Sequence, residues 1–223
     1  MQKLVEIPFD IAYLLIVLTL GVQMIRRSRG NRQALWFGAM TILLGAGDAF
    51  HLVPRVYGLC TTGLDSLAAP LGFGKLVTSI TMTIFYVLLY QIWRMRYHVT
   101  GQKGLSTVVY VLAAVRIALC LCPQNQWLSS TPPLSWGIYR NVPFALLGLV
   151  IIVLFYQAAR THHDHIFRWM WMAILLSFGF YIPVVLWADT IPLMGMLMLP
   201  KTCAYVWAVS MGYRAYASSQ SQS

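Results

Sequence analysis

The chain has 223 residues, of which 59% are hydrophobic and 10% charged, with a mean hydropathy of +0.67. An ordinary soluble domain carries about 25% charged residues, so this composition excludes water as the solvent for most of the surface. The formal net charge of +10 comes from cations at the ends of apolar blocks or inside them. No solvated basic face with interleaved aromatics forms, which argues against a nucleic-acid partner and leaves the lipid bilayer as the surrounding medium.

A helix needs about 20 apolar residues to cross a hydrocarbon core about 30 Å thick. Blocks of that length lie near 7–25, 34–54, 69–93, 105–122, 142–160, 167–187 and 190–212, which predicts an all-α integral membrane protein with seven transmembrane helices. The first block is expected to remain as a helix rather than act as a cleaved signal. Met1 to Pro8 lacks a clear basic region, and an arginine cluster follows the block. Arg26, Arg27, Arg29 and Arg32 follow the first block, and Arg94, Arg96 and Lys103 follow the third. Arg160 and Arg168 bracket the turn between the fifth and sixth, and Arg214 follows the seventh. Ten of the 16 Lys and Arg thus gather on one side, which the positive-inside rule makes cytoplasmic. The loops Tyr57–Ala68 and Pro123–Tyr139 on the other side are nearly free of cations. The N-terminus is therefore expected outside and the C-terminus in the cytoplasm, in a bacterial-type plasma membrane. Trp36, Trp93, Trp127, Trp136, Trp169 and Trp187 fall at the expected interfaces. Residues 1–217 form one predicted transmembrane domain, and the Ser/Gln tail 218–223 is expected to be disordered.

Internal echoes suggest a 3+1+3 repeat. Ile7-Pro8-Phe9 answers to Val142-Pro143-Phe144, and Pro70-Leu71 before the third span answers to Pro192-Leu193 at the seventh. Met40-Thr41-Ile42-Leu43-Leu44-Gly45-Ala46-Gly47 lies over Met172-Ala173-Ile174-Leu175-Leu176-Ser177-Phe178-Gly179. A triplet, a linker helix and a second triplet with the N-terminus outside resemble the architecture of SWEET-type sugar transporters and their PQ-loop relatives. Their proline-glutamine signature is missing from spans one and five, because Pro123-Gln124 stands in a loop. The resemblance therefore carries no substrate with it.

An ionisable side chain within a span costs roughly 2.5–3.5 kcal/mol on the insertion scale, so it faces the bundle interior or water and marks a functional site by default. Asp48, His51 and Arg55 stand at i, i+3 and i+7 in the second span, on one helix face. Lys75 lies in the third span, Arg116 in the fourth, Arg140 and Asn141 at the mouth of the fifth, Asp189 at the end of the sixth and Lys201 near the middle of the seventh. All are expected in the outer half, converging on one cavity open to the outside. Five cations face two acids in this set, so a bound anion would complete the balance. The alternative is purely structural pairing, Asp48 with Lys201 or Arg116 and Asp189 with Arg140. Pro54, Pro183 and Pro200 free backbone carbonyls, and Pro183 and Pro200 are the candidate hinges, with the seventh span expected to be broken beside Lys201.

These residues point to a transporter or ligand-binding receptor for a small anionic solute or lipid headgroup. An intramembrane enzyme acting on lipid headgroups, with Asp48 and His51 as acid-base pair, is the alternative from another class. A lysine in the seventh span of a seven-helix bundle also raises a retinal linkage, but the third span lacks the acid that microbial rhodopsins keep as counterion. No cofactor is implied. Thr161-His162-His163-Asp164-His165 reads as a solvated polar loop, and the four cysteines have no metal-ligand spacing, although Cys60 could pair with Cys120 or Cys122.

Overall fold

A computed structural model describes residues 2–28, 30–61, 63–188 and 190–220. Among the described residues the chain is all-helical, and seven helices are long and apolar enough to cross a membrane. They are α1 (Gln2–Arg26), α2 (Arg32–Cys60), α3 (Ala68–Arg96), α4 (Lys103–Leu121), α5 (Leu134–His162), α6 (Met170–Trp187) and α7 (Met198–Gln220). In hydrocarbon every backbone N–H and C=O needs an internal partner, and a helix supplies these along its own length. The connections are short and use left-handed residues where the chain must reverse, including Gly30, Gly63 and Gly101. Asn31 caps α2 through its side-chain oxygen, which accepts from the Ala34 N–H at 3.1 Å.

Each helix packs on the next in chain order, and α1 meets α7, so the seven close into a ring. α3 also reaches α5 and α2 reaches α7, which sets α2 and α3 toward the interior. α2 and α3 pack extensively, and glycine lets them come close. A Cβ at Gly74 would lie 2.3 Å from the Phe50 carbonyl oxygen, and one at Gly47 would lie 2.1 Å from Thr81 Oγ1. Removing these carbons lets the two backbones approach, the usual device where helix association in lipid depends on van der Waals contact.

The core divides into two layers. Toward the arginine-rich end, Phe37, Phe155, Phe167 and Trp93 are almost fully buried. A second aromatic group crosses the middle: Tyr86 lies 5.1 Å from Phe144 and 5.5 Å from Phe178, and Phe85 lies 5.8 Å from Tyr205. Gly148 makes room for it, since a Cβ there would sit 2.1 Å from the Phe178 ring. The charged residues gather beyond this layer.

Three boundaries differ from expectation. α5 begins at Leu134, well before 142, because Ser135 to Asn141 continue the helix and carry Arg140 and Asn141 inside it. The seventh span opens with a 3-10 segment, Pro192–Leu197, and becomes α-helical at Met198. α7 then continues through Ser218 and Ser219 to Gln220, while 221–223 lie outside the described residues. The cysteines are unpaired, with Cys60 and Cys203 exposed and Cys120 buried.

Candidate functional site

The polar core is built from two groups joined by Lys201. The first lies between α1, α2 and α7. Arg55 donates from Nε to Glu6 as a salt bridge. Tyr13 donates its hydroxyl to Asp48 at 2.6 Å, and Lys201 lies within electrostatic reach of the same carboxylate. Glu6 and Asp10 are 7% and 5% exposed. Asp10 stands beside Glu6, Arg55 and Asp48, and its Oδ2 has no hydrogen-bond partner among the described residues.

The second group lies between α4, α5 and α6. Arg116 is 1% exposed, donates to Asn141 Oδ1 at 3.1 Å, and holds its guanidinium 3.5 Å over the Phe144 ring. Tyr181 donates to the same Asn141 oxygen at 3.1 Å. Arg140 donates to Asn125 Oδ1 at 2.8 Å and lies over Trp127 at 4.2 Å. Asn125 in turn donates to the carbonyls of Leu119, Cys120 and Cys122, which satisfies the end of α4. Lys201 Nζ sits 4.5 Å above the Tyr181 ring and 5.5 Å from that of Tyr205, so it bridges the acidic group and the Arg116 group.

Most of the residues singled out from the sequence therefore approach one another, but their partners differ from those expected. Asp48 and His51 do not bond each other. On a helix turning about 100° per residue, Asp48 and Arg55 project within about 20° of one another and His51 about 60° away. The first two accordingly meet α1, while His51 Nδ1 lies 3.2 Å from the Leu71 carbonyl on α3. Lys75 is exposed on α3. Arg116 engages Asn141 rather than Asp48, and Arg140 is committed to Asn125. Asp189 lies outside the described residues. Lys201 stands in the first turn of α7, nearer the helix start than midspan. Pro183 lies within a continuous α6, and Pro200 occupies the first turn of α7, where its missing N–H removes no intrahelical bond. Two open depressions in the surface lie at the arginine-rich end, beside Gln33, Arg96 and His98, away from Lys201 and Arg116.

Sequence reasoning passed over the acidic face of α1. Glu6, Asp10 and Tyr13 stand at i, i+4 and i+7, the same one-face spacing that drew attention to α2. With Glu6 and Asp10 added to Asp48, five cations (Arg55, Lys75, Arg116, Arg140 and Lys201) face three acids rather than one before Asp189 is considered.

The histidine-rich turn is also more than a solvated loop. Asp164 takes a bidentate bond from Arg96, a bond from the Tyr97 hydroxyl at 3.1 Å, and the N–H groups of Ile166 and Phe167 at 3.0 and 3.1 Å. Partial burial alone would push its carboxyl up, but Arg96 and the two N–H groups outweigh that and hold it at about 2. Tyr97 is pushed up from the ordinary phenol range, first by burial and then by the Asp164 carboxylate. His162 stacks on Tyr97 at 4.8 Å, and no three His, Cys, Asp or Glu side chains among the described residues could hold a metal ion.

Comparison with family models, with curated proteins and with solved structures returns no match. The site is therefore interpreted from its own chemistry.

Proposed function

We infer that the protein is a multi-pass membrane transporter or ligand-binding receptor that takes a small anionic solute, or the anionic headgroup of a lipid, into the polar core between α4, α5, α6 and α7. Arg116 carries this reading. It is buried at 1% exposure, its neighbours include the Asn141 amide oxygen, the Arg140 carbonyl, the Phe144 ring and the Tyr181 hydroxyl, with no carboxylate among them, and its Nε lacks a partner among the described residues. Leaving a guanidinium buried without a counter-charge costs several kcal/mol, and a carboxylate or phosphate would supply both the charge and the bidentate geometry. Lys201 and Tyr181 stand close enough to add a point charge and a hydroxyl donor. The aromatic layer of Tyr86, Phe144 and Phe178 lies beneath and would have to part for passage to the arginine-rich end. A receptor would leave it closed.

In this reading the arginine-rich end is cytoplasmic and the N-terminus external, in a bacterial-type plasma membrane. The sequential packing of α1, α2 and α3 matches that of α5, α6 and α7, which is compatible with a 3+1+3 duplication. The enzymatic alternative has less support, because His51 turns to α3 and Asp48 to α1.

The test is thermal unfolding of the purified protein with inorganic phosphate, a simple carboxylate, or glycerophosphate-headed lipid. A ligand present at 100 times its Kd stabilises by about 2.7 kcal/mol. One of these should raise the melting temperature of wild type and fail to raise that of Arg116→Gln. Equal stabilisation of both would leave the cations as purely structural. Uptake of the stabilising anion into proteoliposomes separates transporter from receptor.

A further inference from the structure

The acidic face of α1 lies outside the anion reading, and it holds the buried acids Glu6 and Asp10 among the described residues. Asp10 lies within electrostatic reach of two other carboxyl groups, those of Glu6 and Asp48, and each of the three has a distinct environment. Glu6 is matched by Arg55. Asp48 is matched by the Tyr13 hydroxyl and by Lys201. Asp10 is 5% exposed, its Oδ2 is buried without a partner among the described residues, and its charged neighbours include both other carboxylates. α1 packs against α2 and α7. Among the described residues, the titratable groups these elements present here are Glu6 and Tyr13 from α1, Asp48 and Arg55 from α2, and Lys201 and Tyr205 from α7, while His51 turns away to Leu71. Among the described residues two cations stand beside these three carboxylates, and each is engaged by one of the other two, although Arg55 also acts on Asp10 through space. An ionised Asp10 carboxylate is therefore short of matching positive charge among the described residues. A metal ion is a poor candidate, because no three suitable ligands among the described residues converge. A proton needs one oxygen.

We propose that Asp10 is an intramembrane proton-binding site, whose carboxylate takes up a proton on Oδ2 and returns it to water as the surrounding helices open. Uptake converts the carboxylate to a carboxylic acid and removes one negative charge from beside Asp48, so Lys201 is drawn less strongly to the acidic group. The site stands independently of the anion reading. Where that reading also holds, the shared Lys201 links proton occupancy to the Arg116 group.

Infrared difference spectroscopy of the full chain in lipid nanodiscs tests the site directly. As pH is lowered from about 8 to about 5 the wild type should develop a protonated-carboxyl C=O band that shifts on exchange into D2O, is missing in Asp10→Asn and moves in frequency in Asp10→Glu. Glu6→Gln should retain the band. Absence of the band from wild type across that whole pH range, or its persistence unchanged in both Asp10 variants, would overturn the proposal. Asp10→Glu keeps the carboxyl and serves should Asp10→Asn fail to fold. Loss of phosphate or carboxylate stabilisation with the band retained would sink the anion reading alone.

Discussion

Asp164 and Tyr13 show how single side chains tie this bundle together at its two ends. Asp164 has its carboxyl held at about 2 against 3.8 for an ordinary aspartate. A depressed folded value means stability that is present above the unfolded value and lost as pH falls through the folded one. The contribution, about 1–2 kcal/mol after allowance for solvent screening, should therefore be intact at neutral pH and vanish between about pH 4 and pH 2. Thermal melts across that window should show the drop in wild type and its absence in Asp164→Asn. At the other end, Tyr13→Phe removes the hydroxyl that Asp48 accepts, and leaving a buried acceptor short of a donor costs about 1–3 kcal/mol. A melting temperature unchanged by Tyr13→Phe would mean that Lys201 alone satisfies Asp48. Both contacts were hidden in the sequence for the same physical reason. A hydrogen bond between α1 and α2, or between α3 and the α5–α6 turn, depends on which helix faces which. Spacing within one helix reports only that residues share a side. It placed Asp48 and Arg55 on a common face and could not say that the face meets Glu6 and Tyr13.

The helices themselves were far more legible, because apolar length is a local property. Spans one to four overlap α1 to α4, although α1 begins at Gln2 rather than 7 and α2 runs on to Cys60 rather than ending at 54. The misses fall where local signals compete: Arg140 and Asn141 made the start of α5 read as a loop, although burial against Asn125 and Tyr181 satisfies both inside a helix. Helix contact distances were not legible at all, since a glycine reads the same in an open face and in a seam. Gly74→Ala places a methyl 2.3 Å from the Phe50 carbonyl oxygen, a backbone atom that cannot move without α2. Overpacking of this kind costs about 1–3 kcal/mol. Gly179→Ala meets nothing within 4 Å and should be neutral or slightly stabilising, because alanine is the better helix former. Comparing the two by thermal melting in one detergent separates the seam from a general effect of helix propensity. Equal melting temperatures would show that α2 and α3 do not approach as closely as described.

Across the whole molecule, the polar groups and the cations divide by end. Glu6, Arg55, Asp48, Lys201 and Arg140 all join elements near the end that holds the start of α1, the α2–α3 connection and the α4–α5 connection. Arg26, Arg94, Arg96, Arg160 and Arg214 stand at the opposite end. Cations close to helix ends favour retention on the cytoplasmic side during insertion, whereas charges buried in the polar core are matched by internal partners and exert less of that bias. On this basis we propose that the start of α1 is external and the end of α7 cytoplasmic. After Cys60 and Cys203, the exposed native thiols, and the remaining cysteines are replaced by serine, single cysteines at Thr61, Ser130, Ser28 and Gly101 report it. Thr61→Cys and Ser130→Cys should react with a membrane-impermeant maleimide added to intact cells, and Ser28→Cys and Gly101→Cys only after permeabilisation. Labelling of all four in the opposite sense would invert the bundle, placing the Glu6–Asp10–Asp48 group on the cytoplasmic side and the arginine-rich depressions outside. Labelling of Thr61→Cys and Gly101→Cys from the same side would be incompatible with α3 crossing the membrane, and with it the ring of seven spans.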